Sequence, residues 1–383
     1  MTRRTTTIGI LAALLAALSV FAVWPKWSDP VEWTLDGLFY QERLLELRGA
    51  NHESAHSQVF EGPISAELRT EDPRHSGNAA WIAYNEPFYE RRISVPLAGA
   101  TLYPVAGERS LLYVSLAGYV AAILALFGLL LLRFRVAIAA GVAGATAFLP
   151  ALTQHSSYPI TDSWGLALQI AALGGAIVTL DRGLRWLPLW VAAIALLGFT
   201  RDSAWIPVLA AGFLAVRYRS RVPVALVGTG VAAALPALLL FTTPVQNLLA
   251  MLVNDFEPSA DTSWGFIASN YPDAVVDLVR ANVGFLRRGE WYTALYLVGG
   301  VLALLLLVWR RPRVRDEKTT YMTAAAVLAL GYVLAAPAFS AFRLELAFVP
   351  IAAWGLSLAS ELALERLRAR MTNPSVTAAL RRS

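Results

Sequence analysis

Cysteine is absent from the 383 residues. Disulfides and thiolate metal sites are thereby excluded, and the redox compartment cannot be read. Charge is scarce as well. Asp, Glu, Lys and Arg make up 15% of the chain, against roughly a quarter in soluble domains. No internal repeat and no low-complexity tract stands out. What is abundant is apolar sequence, at 57%, in runs that recur from one end to the other. The formal charge of +5 hints at an acidic partner. The placement of the cations explains it better, and no nucleic-acid partner is expected.

A membrane span needs about 20 mostly apolar residues, with shorter ones tolerated. Runs of that kind lie at 8–24, 110–132, 136–153, 163–180, 186–199, 203–216, 222–243, 291–309, 321–338 and 344–362. The first follows Arg3 and Arg4, as a secretory signal core would, but no small-x-small cleavage site precedes Pro25. It reads as a retained helix. The fold class expected is an all-α integral membrane protein of about ten transmembrane helices, forming a single membrane domain over 1–362. A basic tail follows at 363–383. Its ELALERLRARM segment (361–371) is suited to anionic lipid headgroups.

Orientation follows from the basic clusters, which stay cytoplasmic. Arg133 with Arg135, Arg182 with Arg185, Arg217 through Arg221, Arg310 through Lys318 and the tail arginines all fall on the side of the N-terminus. Both termini are then cytoplasmic, and the long loops 25–109 and 244–290 are extracytoplasmic. The protein is expected in the cell membrane with its active face outside. Residues 186–216 read as a hairpin. As one helix they would carry Arg201 and Asp202 near the bilayer centre, at about 2.5–3.5 kcal/mol each. The arms are short, so the Arg201–Asp202 turn should lie sunken, against protein or a wet cavity. Loop 244–290 carries an amphipathic stretch that can border a lipid groove.

Four polar sites then share the outer face. WSDPVEWTLDGLFYQERLLELRG (27–49) carries Asp29, Glu32, Asp36 and Tyr40. TQHSSYPITDSW (153–164) carries His155, Tyr158, Thr161 and Asp162. Arg201–Asp202 form the third, and SAFRLELAFVP (340–350), with Arg343 and Glu345, the fourth. Carboxylates beside arginines suit acid–base or metal chemistry next to an anion, and phosphate matches the guanidinium fork. Blander roles stay open: Asp36 or Asp162 as helix caps, Arg201 and Asp202 paired together, Arg343 snorkelling to the interface. A competing motif is His52-Glu53-Ser54-Ala55-His56, the zinc-protease spacing. Asn51, Ser54 and Ser57 make it read as a solvated loop, so His52 and His56 are not expected to be ligands. A third ligand would have to be Glu67, Glu71 or His75.

The order of these segments resembles the C-type membrane glycosyltransferases, which use polyprenyl-phosphate sugar donors. The resemblance covers about 1–362. An acid near an aromatic opens the first outer loop (LDGLFYQERLLELRG). The loop returns through R-x-x-x-P, here Arg92 to Pro96 in FYERRISVPLAGATLYP. A P-x-T-D segment runs into a helix (YPITDSWGLAL), a charged turn opens another (GFTRDSAWIPVLAAG), and a late Arg precedes a Pro (AFRLELAFVPIAAW). There are departures: Gly37, not a second acid, follows Asp36, and Leu344 stands where an aromatic is usual. The resemblance implies Asp36 as the catalytic base on an acceptor hydroxyl. It implies Arg201 and Arg343 on the donor phosphate, with Tyr40, Arg92, Tyr158, Asp162 and Asp202 completing the substrate site. The cofactor stays open. A divalent cation held by Asp36, Asp162 or Asp202 is the one suggested. The partners implied are membrane lipid, a polyprenyl-phosphate-linked sugar and an unidentified acceptor. A transporter or flippase of lipid-linked substrates, a non-catalytic assembly protein and a zinc metalloprotease are the alternative readings.

Overall fold

The computed structural model of the chain describes residues 3–90, 92–240, 244–311, 314–335, 337 and 342–371. The ends of the spans expected at 222–243 and 321–338, and the tail beyond 371, lie outside the described residues. Among the described residues the regular structure is helical throughout, with no strand.

Among the described residues seven helical segments are long and apolar enough to cross a membrane: Arg4–Ala22, Ser94–Leu131, Asp162–Arg182, Arg221–Leu239, Trp291–Arg310, Glu317–Ala335 and Glu345–Ala369. An eighth is broken. Val136–Thr146 and Pro150–Ser156 meet at 63°. Pro150 is the reason: it opens the second piece, where its missing N–H costs nothing, and bars the preceding residue from helical backbone. Residues 186–216 form the expected hairpin, with helices Leu187–Gly198 and Trp205–Tyr218. At 1.5 Å per residue these arms span roughly 18 and 21 Å, shorter than a bilayer core. Thr200, Ser203 and Ala204 at the turn are buried.

The helix Asp162–Arg182 packs along Ser110–Leu131 on one side and Leu187–Gly198 on the other. Trp205–Tyr218 packs on Glu317–Ala335, and Trp291–Arg310 on Val349–Met371. Tyr119, Trp190, Tyr321 and Trp354 are wholly enclosed in this core. The outward faces are apolar too. Leu295, Val298, Leu302 and Leu306 form one exposed stripe at helical spacing. Such a stripe suits lipid, and the long apolar helices behind it mark a multi-pass membrane protein.

The first loop is not irregular. It folds into a helical cap containing Leu35–Leu47, His52–His56, Ala66–Glu71, Ala79–Tyr89 and Ser94–Ala106. The cap has a core of its own, with Leu38, Phe39, Leu44, Val59, Phe60, Trp81, Phe88 and Val95 buried. Phe39 stacks on Tyr89 at 4.4 Å and 8°. That contact fixes the helix carrying Asp36 against the helix ending at Tyr89.

A candidate active site

Asp36 lies in the first turn of Leu35–Leu47. Thr34, not Asp36, caps that helix by accepting from the Gly37 N–H at 3.2 Å. The carboxylate is therefore left for other partners, and the helix N-terminus favours its charge. Gly37 has a steric role. A Cβ there would stand 2.9 Å from Pro159 Cγ, so a side chain would push the helix off the Tyr158–Pro159 segment.

Asp162 opens its own helix, and Thr161 occupies the cap position. The expected capping role is replaced by two guanidinium groups. Arg343 Nε donates to both Asp162 oxygens at 2.8 Å, and Arg201 Nη2 donates to Oδ1. Gly165 makes room for this: a Cβ there would meet Arg201 Cγ at 2.9 Å. Arg343 also pairs through Nη1 with Asp36 Oδ2. One guanidinium thus joins the two acids from segments 126 positions apart in sequence. Arg343 bridges carboxylates here and is not a lipid anchor.

Arg201 thus reaches Asp162, and Asp202 faces Arg92, at 3.6 Å. Arg92 is buried and lies over the Phe88 ring at 4.1 Å. It donates to the Tyr40 hydroxyl at 3.2 Å, which is 3.3 Å from Thr161 Oγ1. Tyr89 donates to Asp36 Oδ1 at 2.6 Å. Sequence reasoning missed Tyr89, although it sits three residues before Arg92 in the returning loop. Tyr158 lines the same cavity. Glu345 turns elsewhere and accepts from Asn282 at 2.7 Å. Asp29 holds Arg109 by its backbone carbonyl, and Glu32 pairs with Lys26.

The electrostatics are lopsided. Burial alone would raise the Asp36 carboxyl, but Arg343, the Tyr89 hydrogen bond and Arg92 outweigh it and hold it below its usual value of 3.8. Asp36 is therefore ionised at neutral pH. Burial would lower Arg343, but Asp162 and Asp36 raise it well above its ordinary value. Three donors are buried without a hydrogen-bond partner: Arg343 Nη2, Arg201 Nε and Arg92 Nε. Such groups are costly unless an acceptor reaches them.

All of this faces a cavity of about 1350 Å³. Asp36, Tyr89, Arg92, Arg201, Asp202 and Arg343 form its charged end. Its other wall is apolar: Trp205, Ile206 and Leu209 of the hairpin, Leu328 and Tyr332 of the helix packed against it, and Leu248, Leu249 and Leu252. The last three belong to the amphipathic helix Val245–Val253, which borders the cavity as loop 244–290 was expected to do. Glu67, Glu71, Asp72, His75 and Asp255 rim the mouth.

The acid pair, as arranged, does not fit a cation. Each oxygen of Asp36 and Asp162 already accepts from Arg343, Arg201 or Tyr89, and a guanidinium stands between the carboxylates. A different group of donors lies elsewhere in the cap. His52–His56 is a helical turn, not an irregular loop. Its third neighbour is Glu42 in place of the Glu67, Glu71 or His75 expected from sequence. His56 Nδ1 lies 2.9 Å from Glu42 Oε1, and His52 Nδ1 2.9 Å from Glu46 Oε1.

No protein-family model and no curated protein sequence matches the chain. Solved structures do. The Archaeoglobus fulgidus oligosaccharyltransferase in complex with zinc and sulfate aligns over 94% of this chain and 50% of its own, at 16% identity and a TM-score of 0.54. Its apo form aligns over 95% and 52%, at 14% identity and 0.53. The archaeal oligosaccharyltransferase AglB from the same organism, bound to an inhibitory peptide and a dolichol-phosphate, aligns over 96% and 52%, at 15% identity and 0.53. The chain spans about half the length of these structures. At such identities the likeness is one of fold alone.

Proposed function

We propose that this chain is a membrane glycosyltransferase that moves a sugar from a polyprenyl-phosphate donor to an acceptor on the extracytoplasmic face. The observation that carries the reading is the Arg343 bridge. A largely buried guanidinium joins Asp36 to Asp162 and lines a cavity that also has many apolar lining residues. A lipid-linked phosphate has the matching two halves. Its polyprenyl chain suits the wall of Ile206, Leu209, Leu248 and Leu328, and its phosphate suits the guanidinium groups of Arg343 and Arg201.

The chemistry follows from the same contacts. Asp36, held as a carboxylate, accepts the proton of an acceptor hydroxyl. The acceptor oxygen bonds to the anomeric carbon, and the bond from that carbon to the phosphate oxygen breaks. The electron pair leaves on the lipid phosphate, and Arg343 and Arg201 stabilise the growing charge. As Arg343 turns toward that phosphate its hold on Asp36 relaxes. Burial then dominates, and the carboxyl becomes the stronger base the step needs. Tyr89 keeps it oriented. Arg92, Tyr40 and Thr161 hold the loop return and the Asp162 segment in register. No step is routed through a metal.

The arrangement in the bilayer belongs to the same reading. The spans at 8–24, 110–132, 136–153, 163–180, 186–199, 203–216, 222–243, 291–309, 321–338 and 344–362 form one membrane domain over 1–362. Both termini face the cytoplasm, the tail 363–383 rests on the inner leaflet of the cell membrane, and the cap faces outward.

The test is transfer from radiolabelled polyprenyl-phosphate sugars in membranes holding the wild type or Asp36→Asn. Transfer by the wild type and a loss of roughly 100-fold or more in the variant is expected, the scale of a general base. Equal transfer would remove Asp36 from the reaction. Absence of transfer with every donor, together with movement of labelled lipid across the bilayer, would make the chain a flippase.

A further inference from the structure

We propose that Glu42, His52 and His56 form a zinc site that staples the outer cap behind the Asp36 helix. The site is separate from the acid pair, since Glu42 follows Asp36 by about 9 Å along the helix. It does not depend on the transferase reading.

The geometry is that of a chelate. The three ligand atoms all lie within 4.8 Å of one another. His56 Nδ1 is 2.9 Å and His52 Nδ1 3.8 Å from the same oxygen, Glu42 Oε1. A tetrahedral zinc with ligands at about 2.0–2.1 Å keeps them about 3.3 Å apart. The two spacings to Glu42 bracket that value, and the two histidine nitrogens, within 4.8 Å of each other, close on the ion by side-chain rotation. Glu46 Oε1 at 2.9 Å and Glu86 Oε1 at 3.6 Å flank the same His52 nitrogen, and either carboxylate can close the fourth corner. His52 and His56 share one face of a helical turn, as ligands four residues apart must.

Charge points the same way. Three carboxylates gather around two imidazoles, and the Glu42 side chain is only 4% exposed. A buried carboxylate is stable only when paired or bound to metal. Arg43 pairs with Glu46 at 2.6 Å, and a divalent cation balances the remaining acids.

The location gives the metal a purpose. A chain without cysteine has no covalent staple for a long cap. The cluster joins Leu35–Leu47, His52–His56 and, through Glu86, the helix Ala79–Tyr89. The first carries Asp36, and the last ends at the tyrosine that holds it. Zinc here is a positioning element. The sequence motif suggests a protease, but its Glu53 is exposed and outside the ligand group, so it cannot serve as base on a zinc-bound water.

The test uses the full chain in detergent, stripped with chelator and titrated with zinc alone. Metal content and the thermal midpoint are measured in parallel. The expected result is one zinc per chain and a higher midpoint. The zinc and the rise in midpoint on adding it should be lost in His52→Ala and in His56→Ala, and both kept in Glu53→Gln and Asp36→Asn, whatever the metal-free midpoint of each variant. His52 is exposed, so its replacement leaves the cap folded and the test sound even where Glu42→Gln does not fold. Zinc retained by His52→Ala and His56→Ala would overturn the proposal. So would zinc lost only in Asp36→Asn, which would place the ion at the acid pair, or no uptake by the wild type.

Discussion

At the scale of the residue, Arg343 decides most. It pairs with Asp36 and Asp162 together, and Arg201 adds the second positive charge at Asp162, in a place where either acid alone would be expensive. Removing one partner of a buried ion pair costs about 3–5 kcal/mol, because the other charge stays behind. Arg343→Ala should therefore destabilise the protein by about that much, read as a lower thermal midpoint in detergent. Arg343→Lys should recover most of the midpoint, since the charge remains. Its activity should stay roughly 100-fold or more down, since a point charge cannot bridge two carboxylates and a phosphate at once. A lysine variant with full activity would mean that the fork is not used.

At the scale of the element, the two outer loops hold each other through His75. Its Nδ1 meets Asp72, and its Nε2 lies 3.1 Å from Glu257 of the second loop. Arg74 pairs with the same Glu257, and Asp255 adds negative charge nearby. Partial burial would lower the His75 ring, but Asp72 and Glu257 outweigh it and raise it above 6.5. A group raised in the folded state stabilises fully below its unfolded value and loses that contribution as pH rises through the folded one. The contact between loops should thus be tightest below the ordinary histidine value of 6.5 and loosen as pH rises above it, through the raised value of His75. Hydrogen exchange of residues 73–76 and 254–257 should speed up over that range beyond its intrinsic pH dependence. His75→Gln should remove the excess. The Arg201 turn is a second element-scale device. Two arms too short for the bilayer sink a polar turn to the depth of the Asp162 carboxylate, and Gly165 gives its stem space.

At the scale of the whole molecule, everything depends on sidedness. The absence of cysteine makes this direct to test, since single cysteines can be introduced without background. A cysteine at Glu71, on the cavity rim, should react with impermeant reagent added outside. One at Arg315, in the basic loop before Glu317–Ala335, should react only after the membrane is opened. Both reacting from one side would break the topology and with it the transferase reading. The cap also belongs to this scale. It has its own core of Phe39, Phe60, Trp81 and Tyr89, and Trp81 and Tyr89 also line the cavity.

Much of this was legible in the chain. Hydropathy marked the long apolar helices, though ten spans were expected and the described residues hold seven candidates and a broken eighth, and it kept 186–216 as a hairpin because two central charges would cost too much. The basic clusters implied a side for each loop, and the loose order of short motifs resembled a fold that the solved structures share. Asp36, Asp162, Arg201 and Arg343 were each visible as polar exceptions in apolar surroundings. Their partners were not. That Arg343 takes both acids, that Tyr89 holds Asp36, and that Glu42 joins His52 and His56 depend on contacts between segments far apart in sequence. Local composition fixes which residues are costly to bury. Only tertiary packing decides which opposite charge, hydroxyl or ligand atom comes near enough to offset that cost.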